Sequence, residues 1–234
     1  MKLLLCIPIV NNPHVTRQCI ESVVHHPVDV MLFANGYNQE IQILFDNYRD
    51  LPNVKIVDRP ENIYVNPAWN FFLEEFINNE QYTHLGILNS DIILHRDFVG
   101  ALQKFWMVYP NYVPIPTEVN KEEIFHDIDY LLSDMHRWIP EGFPGIAIFL
   151  NRQHAHCVYP IPKNIKVWFG DNWIYSICRE LGFPTVMYDK LKSFHEGSST
   201  IYSIKGIDWV IEQDKEEWPT VRDMMQAKIE KLKQ

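Results

Sequence analysis

The chain has 234 residues, 47% hydrophobic and 22% charged, the make-up of a globular protein with one large domain or two small ones. Its formal net charge of −9 argues against a non-specific grip on nucleic acid, which relies on Lys and Arg, and a local basic groove stays open. The four cysteines form no C-x-x-C pair and read as buried thiols of a reducing, cytoplasmic setting, and no apolar stretch reaches the ~18 residues of a membrane span.

Leu3 to Val10 is a near-continuous apolar run containing Pro8 and lacking a small-residue cleavage site, so it reads as a buried strand rather than a leader. Asn12-Pro13 then marks a helix start, with Val15, Cys19, Ile20, Val23 and Val24 at helical spacing. A strand over Val28 to Ala34 ends at the turn pair Asn35-Gly36. Ile41 to Tyr48 reads as a helix and Val54 to Val57 as a strand. Asn66-Pro67 repeats the cap-plus-proline signal before the stripe Ala68, Trp69, Phe72, Leu73, Phe76, Ile77. Thr83 to Leu88 is a strand, and Asp97 caps a helix reaching Tyr109. The order β-α-β-α-β-α-β predicts a mostly parallel α/β sheet flanked by helices, with right-handed crossovers.

The second half is less regular. Tyr109 to Phe143 is proline-rich, with a short helix expected over Lys121 to Asp134. Gly145 to Leu150 is a strand, Pro160 to Lys166 a loop, and Asp171 to Leu181 a helix stopped by Gly182 and Pro184. Thr185 to Tyr188 is a strand, and His195 to Lys205 reads as a polar loop. Trp209 to Lys233 is a charged helical tail with a break before Pro219. The simplest organisation is one domain over 1–206 with a helical appendage over 207–234.

One segment points to chemistry. In Gly86-Ile87-Leu88-Asn89-Ser90-Asp91-Ile92-Ile93-Leu94 an apolar run stops at a polar triplet ending in a carboxylate and then resumes. A buried, unpaired charge is very costly, so Asp91 needs a partner. A divalent cation is one; a turn or helix cap is the other reading. Asp171 stands at the start of a helical stripe, where the dipole favours a carboxylate whatever its role. General base and cap are both open, and the dipole is expected to lower its pKa. His154-x-His156 would put both rings on one face of a strand, yet no further Cys or His has zinc spacing, so packing is the favoured reading. Trp138, Trp168 and Trp173 read as core packing or as sugar-stacking surfaces. Lys190 and Lys192 read as solvated charge or as diphosphate contacts.

The first half looks like a nucleotide-binding sheet, but it lacks the Gly-x-Gly-x-x-Gly fingerprint and the P-loop. The pattern resembles the GT-A glycosyltransferases, the family 2-like group in particular, from about Leu3 to Ser199. Leu5-Cys6-Ile7-Pro8-Ile9-Val10-Asn11-Asn12 resembles that family's opening strand, and Cys19-Ile20-Glu21-Ser22-Val23 its following helix. Asn62, Ala68 and Asn70 resemble its Asn-x-Gly…Ala-x-Asn segment, Asn89-Ser90-Asp91 its Asp-x-Asp metal motif, and Gly170-Asp171-Asn172 its Glu-Asp region. His195 falls where many members carry a late metal-binding histidine.

The resemblance implies a GT-A-type fold and a metal-dependent inverting glycosyltransferase. Asp171 would be the catalytic base. Asp91 and His195 would hold Mn²⁺ or Mg²⁺, with Glu196 an alternative ligand. Pro8, Ile9, Asn11, Asn35, Asn62, Asn70 and Asn89 would lie near the nucleotide-sugar donor. The acceptor would be a hydroxyl on a glycan, a lipid-linked sugar, a protein or a modified base, reached from the Tyr109 to Phe143 segment. The tail would be free for self-association. Three departures stand out: Asn89 replaces the first aspartate, Phe33-Ala34-Asn35-Gly36 replaces an acidic segment, and Tyr64 stands where glycine is usual. The altered Asn89 and Ala34 motivate the alternative of a catalytically degenerate nucleotide- or glycan-binding module.

Overall fold

A computed structural model describes residues 1–127, 136–138, 145–197, 201 and 204–234, with 136–138 described by backbone alone. The elements run β1 (Leu3–Ile9), α1 (Pro13–Val23), β2 (Asp29–Asn35), α2 (Gln39–Asp46), β3 (Val54–Arg59), α3 (Val65–Asn78), β4 (His84–Leu88), β5 (Ile92–Leu94) and α4 (Phe98–Val108). Then come β6 (Val113–Glu118), β7 (His136–Trp138), β8 (Ala147–Asn151), α5 (Arg152–Val158), α6 (Gly170–Glu180), β9 (Thr185–His195) and α7 (Ile207–Leu232).

The main sheet has the order β3-β2-β1-β4-β8, parallel except for β8, which runs antiparallel to β4. Strand side chains alternate between faces. In β1, Leu3, Leu5, Ile7 and Ile9 join a core with α1, α2 and α4, while Leu4 and Cys6 join another with α3, α5 and α6. Gly86 of β4 is needed here, because a Cβ would sit 2.4 Å from Leu5 Cδ2 and 2.9 Å from a Phe149 ring carbon. The expected βα core, helices on both faces, is what these contacts build.

A second sheet is organised on β9, with β6 along one edge and β5 and β7 along the other. It contains most of the corrections. The proline-rich stretch after Tyr109 forms β6 despite Pro114 and Pro116. Val113 donates to Pro184 O (2.9 Å), which turns the two prolines' missing donors to the unpaired edge. β9 extends through His195, so that residue ends a strand, paired with Ile92, rather than opening a loop. Lys190, within β9, is buried rather than solvated.

Other corrections follow from local bonds. Asn66 is not the cap of α3. It lies in the first turn, is fully buried, and its Nδ2 donates to Trp168 O at 2.9 Å. Asp97 precedes α4 without a side-chain cap bond. The Lys121 to Asp134 helix is replaced in its described part by a 3₁₀ turn, Glu123–Phe125; residues 128–135 and 139–144 and the Trp138 side chain lie outside the described residues. The His-x-His segment is helical. Asn151 accepts from His154 N (2.9 Å) while His154 Nδ1 accepts from Asn151 N (3.3 Å), a reciprocal cap that starts α5.

α7 is one continuous helix through Pro219. Trp218 stacks on Phe169, with ring centroids 4.5 Å apart, and Val221 and Ile229 are buried in the α3–α6 core, so packing holds the helix on both sides of the proline. Among the described residues no helix is long and apolar enough to cross a membrane.

Burial pushes the His154 pKa down to about 4, against a smaller upward pull from its contact with Asn111 O. The folded state therefore prefers the neutral ring. Its contribution is fully present above the unfolded value near 6.5 and is lost as pH falls from there toward 4. Urea unfolding at pH 7 and pH 5 checks this: wild type is expected to lose about 2 kcal/mol more than His154→Gln over that interval.

Candidate active site

The β4–β5 turn is fixed before any ligand is considered. Asn89 N donates to Ile146 O (3.0 Å), Cys19 Sγ lies 3.5 Å from Asn89 O, and Glu196 N donates to Asp91 O (3.0 Å). The turn is thereby tied to α1, to the start of β8 and to the end of β9. Asp91 is 3% exposed, and its carboxylate meets His195 Nε2 at 3.3 Å. Burial works to lower the His195 pKa; the hydrogen bond and charge of Asp91, with Glu118 adding, outweigh it and raise the pKa above the usual imidazole value.

Asp171 lies in the first turn of α6. Its Oδ2 accepts from Gly145 N (2.8 Å) and its Oδ1 from Asn172 N (2.9 Å). The capping reading thus holds in part, yet the expected depression of its pKa does not. Burial raises it above the usual carboxylate range, and the backbone N–H bonds offset only part of that rise. Two glycines make the arrangement possible. A Cβ on Gly145 would sit 2.6 Å from Asp171 Cβ, and one on Gly170 would sit 2.1 Å from Asn66 Oδ1.

Asp91, His195 and Asp171 line one cleft of about 620 Å³, together with Pro8, Asn35 and Asn89. The cleft lies at the carboxyl ends of β1, β2 and β4, where open α/β sheets place their ligands. Ile9 is fully buried, and neither it nor Asn11, Asn62 or Asn70 is part of the lining. Asn70 pins a loop instead, exchanging two 2.8 Å bonds with the backbone of Ile161. Asn35 binds Tyr64 O (3.1 Å) and Ile63 N (2.8 Å), and Asn62 Oδ1 accepts from Tyr64 N (2.8 Å). Together they hold Tyr64 at φ +67°, a conformation that favours glycine. Asn12 and Phe169 also have positive φ, and the three residues directly precede α1, α3 and α6.

Three residues of the site, Trp69, Phe169 and Asp214, escaped sequence reasoning; Trp168 did not, having stood as core packing or a sugar-stacking surface. Trp69, Trp168 and Phe169 line the cleft. Asp214 of α7, 1% exposed, accepts from three successive N–H groups, those of Lys166 (2.8 Å), Val167 (2.6 Å) and Trp168 (2.8 Å). It clamps the loop that leads into Asp171.

No protein-family profile matches the chain, and no curated protein matches it. Solved structures do. TarS of S. aureus aligns with TM-score 0.65 at 11% identity, over 87% of this chain and 38% of TarS. TarS 1-349 in complex with UDP gives 0.62 at 12%, over 80% and 57%. GalNAc-T7 with UDP, GalNAc and Mn²⁺ gives 0.63 at 11%, over 97% and 50%. Both are GT-A-type glycosyltransferases.

The chain has a GT-A glycosyltransferase fold. It spans 38% to 57% of the length of these GT-A structures.

Within the GT-A frame, the donor set for a dication is narrow. Among the described residues no three His, Cys, Asp or Glu side chains converge on one point. Glu196, the alternative ligand, is engaged by Lys121 Nζ at 3.3 Å. The Asp91 carboxylate and His195 imidazole fit Mn²⁺ or Mg²⁺ that draws its other ligands from phosphate oxygens and water.

The pair's electrostatics are open to direct measurement. Removing the Asp91 charge takes away the main influences that raise the His195 pKa, so Asp91→Asn is expected to lower it. Imidazole chemical shifts followed against pH give the answer, and an unchanged titration would contradict the pairing.

Proposed function

We propose that the chain is a metal-dependent inverting glycosyltransferase that moves a sugar from a nucleotide-activated donor to a hydroxyl acceptor. One observation carries the reading. A buried carboxylate–imidazole pair and a second carboxylate with a raised pKa share one cleft at the carboxyl edge of a GT-A sheet. UDP in both neighbours, and Mn²⁺ in one, support a nucleoside-diphosphate donor and a divalent ion.

Asp91 and His195 would hold the ion, which when bound supplies positive charge for the leaving diphosphate. His195 must give up its proton to become a ligand, so ion binding should strengthen as pH rises through its raised pKa. Asp171 takes the proton of the acceptor hydroxyl while that oxygen bonds to the anomeric carbon. The bond from that carbon to the diphosphate oxygen breaks at the same time, and a single displacement inverts the centre. The raised pKa brings Asp171 nearer to working pH, which makes it a stronger base. The Gly145 and Asn172 amides keep its oxygens in place. Pro8, Asn35 and Asn89 stand on the nucleotide side.

The binding-module alternative draws on Asn89 and on the lack of a third protein ligand among the described residues. Turnover of UDP-sugars with added Mn²⁺, water serving as the simplest acceptor, separates the two. The transferase reading expects Mn²⁺-dependent turnover, lost on the order of 100-fold or more in Asp91→Ala and ~10²–10⁴-fold in Asp171→Asn. The rate should also fall as pH drops through the Asp171 pKa. Metal-independent nucleotide binding with no turnover on any donor would establish the module instead.

A further inference from the structure

The loop that delivers Asp171 is gripped along both of its polar edges. On one, the N–H groups of Lys166, Val167 and Trp168 all donate to the Asp214 carboxylate, the first to Oδ1 (2.8 Å) and the other two to Oδ2 (2.6 and 2.8 Å). On the other, Asn66 N donates to Lys166 O (2.8 Å) and Asn66 Nδ2 to Trp168 O (2.9 Å). Both gripping side chains are buried. Asn66 Oδ1 also abuts Gly170, where an added Cβ would sit 2.1 Å from it. Only Phe169 separates the clamped segment from the glycine before the base.

Three successive N–H groups facing one point make an anion-binding concavity. Here the chain fills it with its own carboxylate, carried by α7. A buried charge is a poor route to stability, because desolvation offsets most of what its partners return. Nor does α7 need it for docking: Val221 and Ile229 anchor the helix in the core, and Trp218 stacks on Phe169. What charge-assisted bonds add is fixed geometry. Asp214 fixes three consecutive peptide planes. The same helix steadies Phe169, whose φ of +65° turns the chain into α6. The first turn of α6 then places the Asp171 oxygens on Gly145 N and Asn172 N.

We infer that Asp214 is a positioning residue for Asp171: by holding the Lys166–Trp168 backbone against Asn66 it sets where that carboxylate stands in the cleft, and α7 belongs to the catalytic apparatus. Calling Asp171 the base rests on the transferase reading; its placement by Asp214 does not. A base must stand within hydrogen-bond reach of the proton it takes, and a misplacement of about 1 Å can cost on the order of 100-fold in rate. The hydrogen bonds of Asp214 go to this loop and not to the ends of β1, β2 and β4, so donor binding should be spared.

Asp214→Asn in the full chain tests this. It keeps the side chain's shape, but a single amide oxygen cannot serve three donors that now divide between two. The first readout needs no turnover: the carboxyl carbon of Asp171 is titrated by NMR, its resonance assigned by loss in Asp171→Asn. Burial holds this group above the usual carboxylate range, and a loosened loop admits water, so its pKa should fall toward the ordinary value. Its titratable neighbours, Tyr175 on its own helix and Asp91 and His195 in the cleft, are common to both chains. The second readout is kinetic. With UDP-sugar and Mn²⁺, kcat should drop on the order of 100-fold while the donor KM stays within about twofold, whereas a role in stability alone would leave the kcat of folded enzyme intact. An unchanged Asp171 titration in a variant whose urea midpoint shows it folded would overturn the inference, as would an unchanged kcat. If Asp214→Asn does not fold, hydrogen exchange on the wild type decides. The Val167 and Trp168 amides, bonded to Asp214, should open together with those of Asn172 and Trp173 in the first turn of α6. Exchange in α6 while the loop stays closed would contradict it. A shifted Asp171 titration with no turnover in either chain would leave the positioning standing and remove only the transfer reading.

Discussion

Burying a carboxylate without compensation is more than a protein of this size can sustain, and three buried or largely buried carboxylates surround this cleft. How each is compensated sorts their roles. Asp214 accepts from three backbone N–H groups, so its part is to hold the Lys166–Trp168 loop. Asp171 has one amide on each oxygen, yet burial still raises its pKa, leaving it receptive to a proton. Asp91 is matched by an imidazole, a partner that can lose its charge and let a dication take its place.

The fold delivers these groups through its edges rather than its core. β1 is buried on both faces, and only near its carboxyl end, at Pro8, does it reach the cleft. β4 and β5 are separated only by Asn89-Ser90-Asp91, and that turn is pinned to three neighbouring segments. α7 supplies Asp214, which holds the loop that carries Val167 and Trp168 to the cleft, and Val221 and Ile229 to the core. The local cost of this geometry shows at Asn12, Tyr64 and Phe169, each with positive φ just before a helix. Residues held in such conformations cost on the order of 1–3 kcal/mol and tend to gather at functional sites.

Much of this was legible in the sequence where a signal is local. Hydrophobic runs and helical spacing located β1 to β4 and the helices between them, because both faces of the sheet are covered and the pattern is unbroken. Asp91 announced itself as a polar interruption in an apolar run, and Tyr64 as an outsider at a glycine position. What stayed hidden depends on distant partners. β6 carries two prolines that only an edge position tolerates. His195 looks like a loop residue until Ile92 pairs with it. Asn66 follows a cap signal, but its amide is taken by Trp168, 102 residues away. His154 starts a helix only because Asn151 caps it. Asp214 carries no local mark at all, since it satisfies amides 46 to 48 positions earlier.

The central claim is that Asp91 and His195 exchange their mutual contact for a shared dication beneath a nucleoside diphosphate. Anomalous diffraction from crystals soaked with Mn²⁺ and UDP tests it most directly. The account predicts one manganese peak bonded to an Asp91 oxygen, to His195 Nε2 and to diphosphate oxygens. UDP seated in the cleft with no peak there, and the Asp91–His195 contact intact, would contradict it.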